Sequence, residues 1–182
     1  MNTLYFKVWN PKELQFIPLT IVSSPKGICR ILFGTKEKAK KDWFLKKHFP
    51  NFQLKDYISA DSQIQKYFVS LEKVLYKYFK RGLGISFFES NLPLDLKGTS
   101  FQRAVWQKLA KIPFGKTFSY GQLAKSLGRS NAARALGSAC GANPLPVVIP
   151  CHRVISSSGD LGGFSGGIRI KKELLKYERI SH

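Results

Sequence analysis

Cys151 is followed directly by His152 and Arg153, and this trio offers the most reactive chemistry in the chain. The thiolate is the nucleophilic form of cysteine, and basic or cationic neighbours lower its pKa. A working nucleophile also needs a base within reach and a third group to orient that base. Side chains of adjacent residues rarely meet directly, so His152 is expected to act through a water. The other cysteines are Cys29 and Cys140. An odd number at wide spacings disfavours a disulfide framework and a Cys-x-x-Cys metal or redox site. On the residues alone a second reading stays open: Cys151 follows the apolar run Val147-Val148-Ile149-Pro150 and could simply be a small packed hydrophobe.

Candidates for the orienting group are few. After residue 98 the acids are Asp160, Glu173 and Glu178. A helix from about Ile168 to Glu178 places Ile170, Leu174, Tyr177 and Glu178 on one apolar stripe. A carboxylate on that stripe is costly unless paired, which makes His152 its natural partner. The alternative is an exposed terminal glutamate paired with a lysine.

The elements that must carry these groups have sharp local signals. Thr99-Ser100-Phe101-Gln102 and Ser119-Tyr120-Gly121-Gln122 both fit capping boxes. The first opens a helix ended by Pro113, the second a short helix stopped at Gly128. Ser130 can cap a third helix from about Asn131 to Cys140. Two short helices around a glycine turn match a helix-turn-helix. Ala132, Ala133, Ala135, Gly137, Ser138 and Ala139 make the third helix unusually smooth, with Arg134 projecting. Such smoothness fits tight helix packing, or close approach to an external surface. Asn143-Pro144-Leu145-Pro146 predicts a stiff connector. Residues 156–167 form a Gly/Ser-rich loop, whose paired glycines around Phe164-Ser165 favour close backbone approach to a ligand.

The first half reads differently. Leu4–Val8, Phe16–Ile21 and Ile28–Phe33 predict strands of a small antiparallel sheet, with Asn10-Pro11 and Ser24–Gly27 as turns. Residues 36–48 and 62–81 predict helices, the second with Ile64, Tyr67, Phe68, Leu71, Val74, Leu75 and Tyr78 inward. Ile85–Phe88 suggests one more strand, and Glu89–Asp95 a connector. The chain is therefore expected to divide into an α/β domain over 1–95 and a mainly α domain over 96–182.

The 30 basic and 11 acidic residues give a net charge of +19, which favours a polyanionic partner over a solvated lysine-rich surface. Residues 1–98 carry 17 basic and 8 acidic groups (+9), and residues 99–182 carry 13 and 3 (+10), a denser charge in the shorter half. No run of apolar residues is long enough to span a bilayer. Met1–Asn10 lacks an apolar run with a small-residue cleavage site. The expectation is a soluble cytoplasmic protein, nucleoid-associated in a prokaryote.

The segment Ile149-Pro150-Cys151-His152-Arg153-Val154 resembles the O6-alkylguanine-DNA alkyltransferases, or methylated-DNA–protein-cysteine methyltransferases. The resemblance runs from about Gly98 to Glu178. It takes in Gly98–Gln102 with Val105-Trp106, Ile112–Thr117, Ser119–Ala124, Ala133–Gly137, Asn143-Pro144 and Ser165-Gly166-Gly167. It implies direct reversal of DNA damage. An alkyl group would move, irreversibly and once per molecule, from O6 of guanine, and as a candidate from O4 of thymine, to Cys151 after base flipping. It implies His152 as the base acting through water, Glu178 as the group that holds His152, and Asn143 as the hinge. Tyr120 would crowd the 3′ phosphate and donate to the guanine. Arg134 would be the finger that enters the stack, with Ala133, Gly137, Ser119 and Tyr120 against the DNA. The guanine pocket would use Val154, Ser165, Gly166 and Phe164. The partner would be duplex DNA carrying O6-alkylguanine, read in the minor groove by a monomer with no cofactor. It further implies an RNase H-like first domain and a winged-helix-like second one. Cys29 and His48 stand alone, so no metal is expected there, and Cys140 is read as a packed small residue. Phe164 stands where the family often has tyrosine or another residue, so the resemblance does not fix the tolerance for bulky alkyl groups.

Rival readings differ in what they need. A cysteine hydrolase would need an oxyanion hole and leaves the charge and the helix-turn-helix unexplained. A DNA-binding regulator has no use for Cys151 and its neighbours. A lesion binder without chemistry would lack the acceptor cysteine.

Overall fold

The computed structural model describes residues 1–10, 17–82, 91–129 and 132–180. They fall into two compact units, one of Met1–Arg81 and Ser90–Lys97, the other of Gly82–Glu89 and Gly98–His182.

The first unit is built on strands β1 (Thr3–Trp9), β2 (Leu19–Ser24), β3 (Gly27–Phe33) and β4 (Gln53–Asp56), in the order β3-β2-β1-β4. The expected antiparallel sheet is a mixed one: β1–β2 and β2–β3 are antiparallel, but β4 runs parallel to β1, pairing Leu4 with Leu54. As a short edge strand that is mostly exposed, β4 has no alternation of apolar residues to reveal it. Every residue of β2 and β3 is buried, so the sheet is covered on both faces. The long helix α3 (Ser62–Arg81) lies against β2 and β3, burying Ile64, Phe68, Leu71, Leu75 and Tyr78 as its periodicity predicts; Tyr67 and Val74 are only half-buried. The helix expected over 36–48 is two helices, α1 (Lys36–Lys41) and α2 (Trp43–His48). Asp42 divides them: its side chain accepts from Leu45 N at the start of α2. Phe44 and Leu45 then join Leu4, Val22, Cys29 and Leu32 in a second apolar cluster. Segment 91–97 adds to β3 through Ile28 N to Pro93 O (2.8 Å) and Asp95 N to Ile28 O (2.9 Å). Gly27 permits this approach: a Cβ there would lie 2.5 Å from Pro93 O. Phe16, the turn at Pro11 and the strand expected at Ile85–Phe88 lie outside the described residues.

The second unit is mainly helical. Its helices are α4 (Ser100–Leu109), α5 (Tyr120–Ser126), α6 (Ala133–Gly141) and α7 (Ile168–Tyr177), with short strands β5 (Phe118–Ser119) and β6 (Val154–Ile155). Both capping boxes form with both reciprocal bonds present. Helix α5 ends in a Schellman motif: Gly128, at φ +65°, donates to Lys125 O, and Arg129 donates to Ala124 O. Helices α5 and α6 pack against α4, where the buried indole Nε1 of Trp106 donates to Ala139 O at 2.9 Å. Ser130 and Asn131, expected to open α6, lie outside the described residues. Among the described residues no helix is long and apolar enough to cross a membrane.

Candidate active site

The parallel pairing of β5 with β6 sets the site. It aligns Phe118 with Val154 and Ser119 with Ile155, so Tyr120 at the start of α5 is brought beside the segment that follows Cys151. Cys151 opens a 3-10 turn, Cys151–Arg153, held from behind by segment 142–150, in which every residue is buried. Asn143 staples that segment. Its Oδ1 accepts from Leu145 N (3.0 Å), and its Nδ2 donates to Ile149 O (2.7 Å) and to Cys151 Sγ (3.0 Å). Val147, inside the staple, sits at φ +76°, a strained conformation for a β-branched residue.

Glu178 is 2% exposed and His152 fully buried, and they meet at 2.8 Å between His152 Nε2 and Glu178 Oε1. Arg153 grips the same carboxylate, with Nε 2.8 Å from Oε2 and Nη2 2.9 Å from Oε1, while Nη1 donates to Ile112 O. Glu178 Oε2 also accepts from Gly115 N at 3.1 Å. Burial opposes the charge on Glu178, but the hydrogen bonds and charges of His152 and Arg153 prevail and hold its carboxyl at about 2. Burial lowers the pKa of His152, against the hydrogen bond and charge of Glu178, so the imidazole is neutral near pH 7. Its Nδ1 is buried without a hydrogen-bond partner among the described protein groups.

In front of Cys151 lies a cavity of about 350 Å³ lined by Tyr120, Gly137, Cys140, Gly141, Cys151, Gly163, Phe164 and Ser165. The Tyr120 hydroxyl is pushed up to about 12 by burial and then by the nearby thiols, so it is a donor at neutral pH. Burial, with Cys151 adding to it, pushes the Cys140 thiol up to about 12. Burial raises Cys29 as well.

The structure thus brings together Cys151, His152, Glu178 and Asn143, and places Tyr120, Gly137, Phe164 and Ser165 around one cavity. Val154 and Gly166 do not line it; Val154 is buried and its carbonyl accepts from Lys171 at 2.5 Å. Ser119 Oγ is engaged in capping α5. Ala133, Arg134, Ala135 and Ser138 form an exposed face of α6, while Leu136, Ala139 and Cys140 face inward. A Cβ on Gly137 or Gly141 would meet nothing within 4 Å, so internal packing does not demand these glycines. Among the described residues no group of three or more His, Cys, Asp or Glu is placed to hold a metal.

The full chain resembles an OGT of Mycobacterium tuberculosis solved in complex with DNA: TM-score 0.72 and 31% identity, covering 96% of this chain and 93% of that one. Residues 100–180 match the family model described as 6-O-methylguanine DNA methyltransferase, DNA binding domain. A methylated-DNA–protein-cysteine methyltransferase of Acanthamoeba polyphaga mimivirus, described as probable, is 46% identical over 58% of this chain and 68% of its own length. The chain belongs to the 6-O-methylguanine DNA methyltransferase family. The regulatory protein ada of Salmonella typhimurium is 41% identical over 87% of this chain, and the chain spans only 41% of that protein's length.

Within the second unit, sequence reasoning missed two buried cations. Arg153 stands in a run whose every residue from Val147 to Val154 is buried, and a cation there demands one of the three available acids. Lys171 is fully buried, and its Nζ donates to Val154 O and to Leu161 O, tying the cavity's Gly/Ser loop to the segment after Cys151. The buried stripe of α7 is Ile170, Lys171, Leu174, Leu175 and Glu178; Tyr177, expected on it, is half-buried at its edge. The spacing from Lys171 to Leu174, Leu175 and Glu178 is helical, but residue type argues for solvent, since a lysine ordinarily keeps its charged head in water.

Proposed function

We propose that this chain repairs DNA by transferring a methyl or other alkyl group from O6 of guanine to Sγ of Cys151, once per molecule. One observation carries the reading: Cys151 ends a cavity sized for a base, backed by the Asn143 hydrogen bond and the buried His152–Glu178–Arg153 network. The alkylated atom lies inside the duplex, so the nucleotide must be turned out to reach Sγ. The exposed small face of α6 suits close approach to the minor groove, and Arg134 on that face is free to enter the stack and offset part of the cost of flipping.

The thiol proton passes to His152, with a water between Sγ and the otherwise unpartnered Nδ1. Glu178, kept ionised by Arg153, positions the imidazole and stabilises it once charged. Sγ then attacks the alkyl carbon, the S–C bond forms and the C–O6 bond breaks. The electron pair leaves with guanine, and the Tyr120 hydroxyl meets the developing charge with a hydrogen bond. The proton taken from the thiol balances that charge. The thioether is stable, so each molecule acts once. Asn143 donates to Sγ in the resting state and acts as the hinge between the cavity and the segment behind it. The partner is duplex DNA, bound by a monomer without a cofactor, and its location sets that of the protein: the cytoplasm, at the nucleoid in a prokaryote. We read O4 of thymine as a second donor atom, because it presents the same alkyl ether at the edge of a base. The strand order β3-β2-β1-β4 with one parallel edge supports an RNase H-like first unit, and α4–α6 with the β5–β6 pair a winged-helix-like second unit.

Mass spectrometry after mixing with duplex DNA carrying one O6-methylguanine tests this. One methyl on the Cys151 peptide, limited by the amount of protein, is expected, and Cys151→Ala should bind without transfer. An unmodified protein that still binds would leave a lesion binder.

A further inference from the structure

The first unit carries a strongly basic face that alkyl transfer does not use. Helices α1 and α2 hold Lys36, Lys38, Lys40, Lys41, Lys46 and Lys47, all exposed. The two acids among them scarcely offset this charge. Asp42 is buried and bound to Arg30 at 3.0 Å, and Glu37 lies 3.6 Å from Lys40. Trp43 stands on the same stretch and is 52% exposed, although Phe44 beside it is buried. It lies three and four residues before Lys46 and Lys47, on their side of α2. Lys40 and Lys46 also rim a groove of about 580 Å³ whose other wall is Pro50, Phe52, Gln53 and Leu54 at β4, the edge strand among the described residues.

A plain lysine surface would explain the charge but not a large aromatic left in water among the lysines of α2; Phe52 in the groove packs against the apolar cluster and shows only part of its ring. Cations that track phosphates, interleaved with rings on which bases stack, are the features of single-strand recognition. Duplex DNA would satisfy the lysines but would offer Trp43 no base face. An acidic peptide would satisfy the charge and leave Trp43 without a role.

We propose that the α1–α2 face and its groove bind a single-stranded nucleic acid segment, with Trp43 as a stacking platform and Lys40 and Lys46 on the phosphates. The site is independent of Cys151, so its test reads nothing of alkyl transfer.

The full chain is titrated with an undamaged oligothymidylate of roughly 12 nucleotides, a length in the range of single-strand sites. Tryptophan fluorescence and salt dependence are the readouts. Of the three tryptophans Trp106 is 2% exposed, Trp9 is half-buried and Trp43 is 52% exposed, so stacking on Trp43 should produce most of the quenching, and Trp43→Ala should remove that part. Lys40→Ala with Lys46→Ala should weaken binding about tenfold and lower the salt slope by about 1.4, for two lost phosphate contacts on a single strand. Comparison between variants cancels binding elsewhere on the chain, and circular dichroism checks that each is folded. Quenching of the same depth in Trp43→Ala as in the wild type would overturn the proposal. So would equal losses for duplex and single strand in the lysine variant, which would make this a backbone contact for duplex DNA. Equally tight binding of polyglutamate would overturn it in favour of an acidic protein partner.

Discussion

Arg153 and His152 share one carboxylate: Glu178 receives Nε of Arg153 at 2.8 Å on Oε2 and Nε2 of His152 at 2.8 Å on Oε1. Adjacent residues thus reach the same acid from a tight 3-10 turn. Hydrogen bonds from His152 and Arg153 together keep Glu178 ionised, and of the two only Arg153 carries a permanent charge, which leaves the imidazole free to take up and release a proton.

Removing that charge should be costly. Breaking one partner of a buried ion pair strands the other, so Arg153→Met is expected to lose about 3–5 kcal/mol of stability. It also strips Ile112 O of its donor. Arg153→Lys should recover only part, because an ammonium cannot hold two oxygens in a fork. Urea unfolding measures both variants. A loss below about 1 kcal/mol for Arg153→Met, the level of an exposed pair, would remove the buried network as a determinant of the fold.

Stability should fall with acid in two stages. The folded pKa of His152 is lowered, so its contribution is present above about 6.5, the unfolded value, and declines as pH drops below it. Glu178 is held at about 2 in the fold, so its contribution is complete above about 4.3 and is lost as pH falls from there towards the folded value. Urea midpoints should therefore decline gently from pH 7 to 5 and steeply below pH ~4.3. His152→Gln should remove the first decline and keep the second. A wild-type midpoint that is constant from pH 7 to 5 would contradict the lowered histidine.

These two predictions rest on different degrees of legibility. Helices α4 and α5 and both capping boxes could be read from the sequence, because each is a local pattern with its own spacing, and the helical stripe leading to Glu178 made its inward placement one of two readings. Arg153 and Lys171 could not, because residue type argues for solvent and only the three-dimensional arrangement supplies their acceptors. Strand β4 escaped for a related reason: Gln53-Leu54-Lys55-Asp56 carries no pattern of its own and is a strand only because β1 pairs with it. The division of 36–48 at Asp42 was local, a helix cap in the middle of a lysine run, but the run's composition hid it.

Helix α6 offers a test that separates internal packing from external approach. Gly137 lies in the helix interior with open space where a Cβ would go. Glycine there costs helix stability, so Gly137→Leu should raise stability by about 0.8 kcal/mol. The same side chain would stand between the helix and a minor groove, so binding to duplex DNA should weaken by at least about tenfold, roughly 1.4 kcal/mol. Thermal denaturation and a binding titration on one sample decide it. If the variant is destabilised, the glycine serves the fold; if binding is unchanged, α6 is not the face that meets DNA.

Lys171 is the remaining structural surprise. Its buried Nζ bridges Val154 O, next to the reactive turn, and Leu161 O, in the loop that supplies Gly163, Phe164 and Ser165 to the cavity. Burial pushes the lysine's pKa down, with Cys151 and Cys140 acting the other way. Lys171→Met fills similar volume but leaves two carbonyls without their donor, at about 1–3 kcal/mol for each that stays buried. Leu161 is only half-buried, so the loop can release its carbonyl to solvent by moving. The variant should therefore show faster amide exchange across residues 160–166 with little change in α4. Transfer to Cys151 should slow because the cavity wall is no longer fixed, while binding to undamaged duplex stays within about twofold, since α6 is untouched. Exchange in the loop equal to the wild type would mean that its glycines and turns hold it without the lysine, and that the clamp has no part in shaping the cavity.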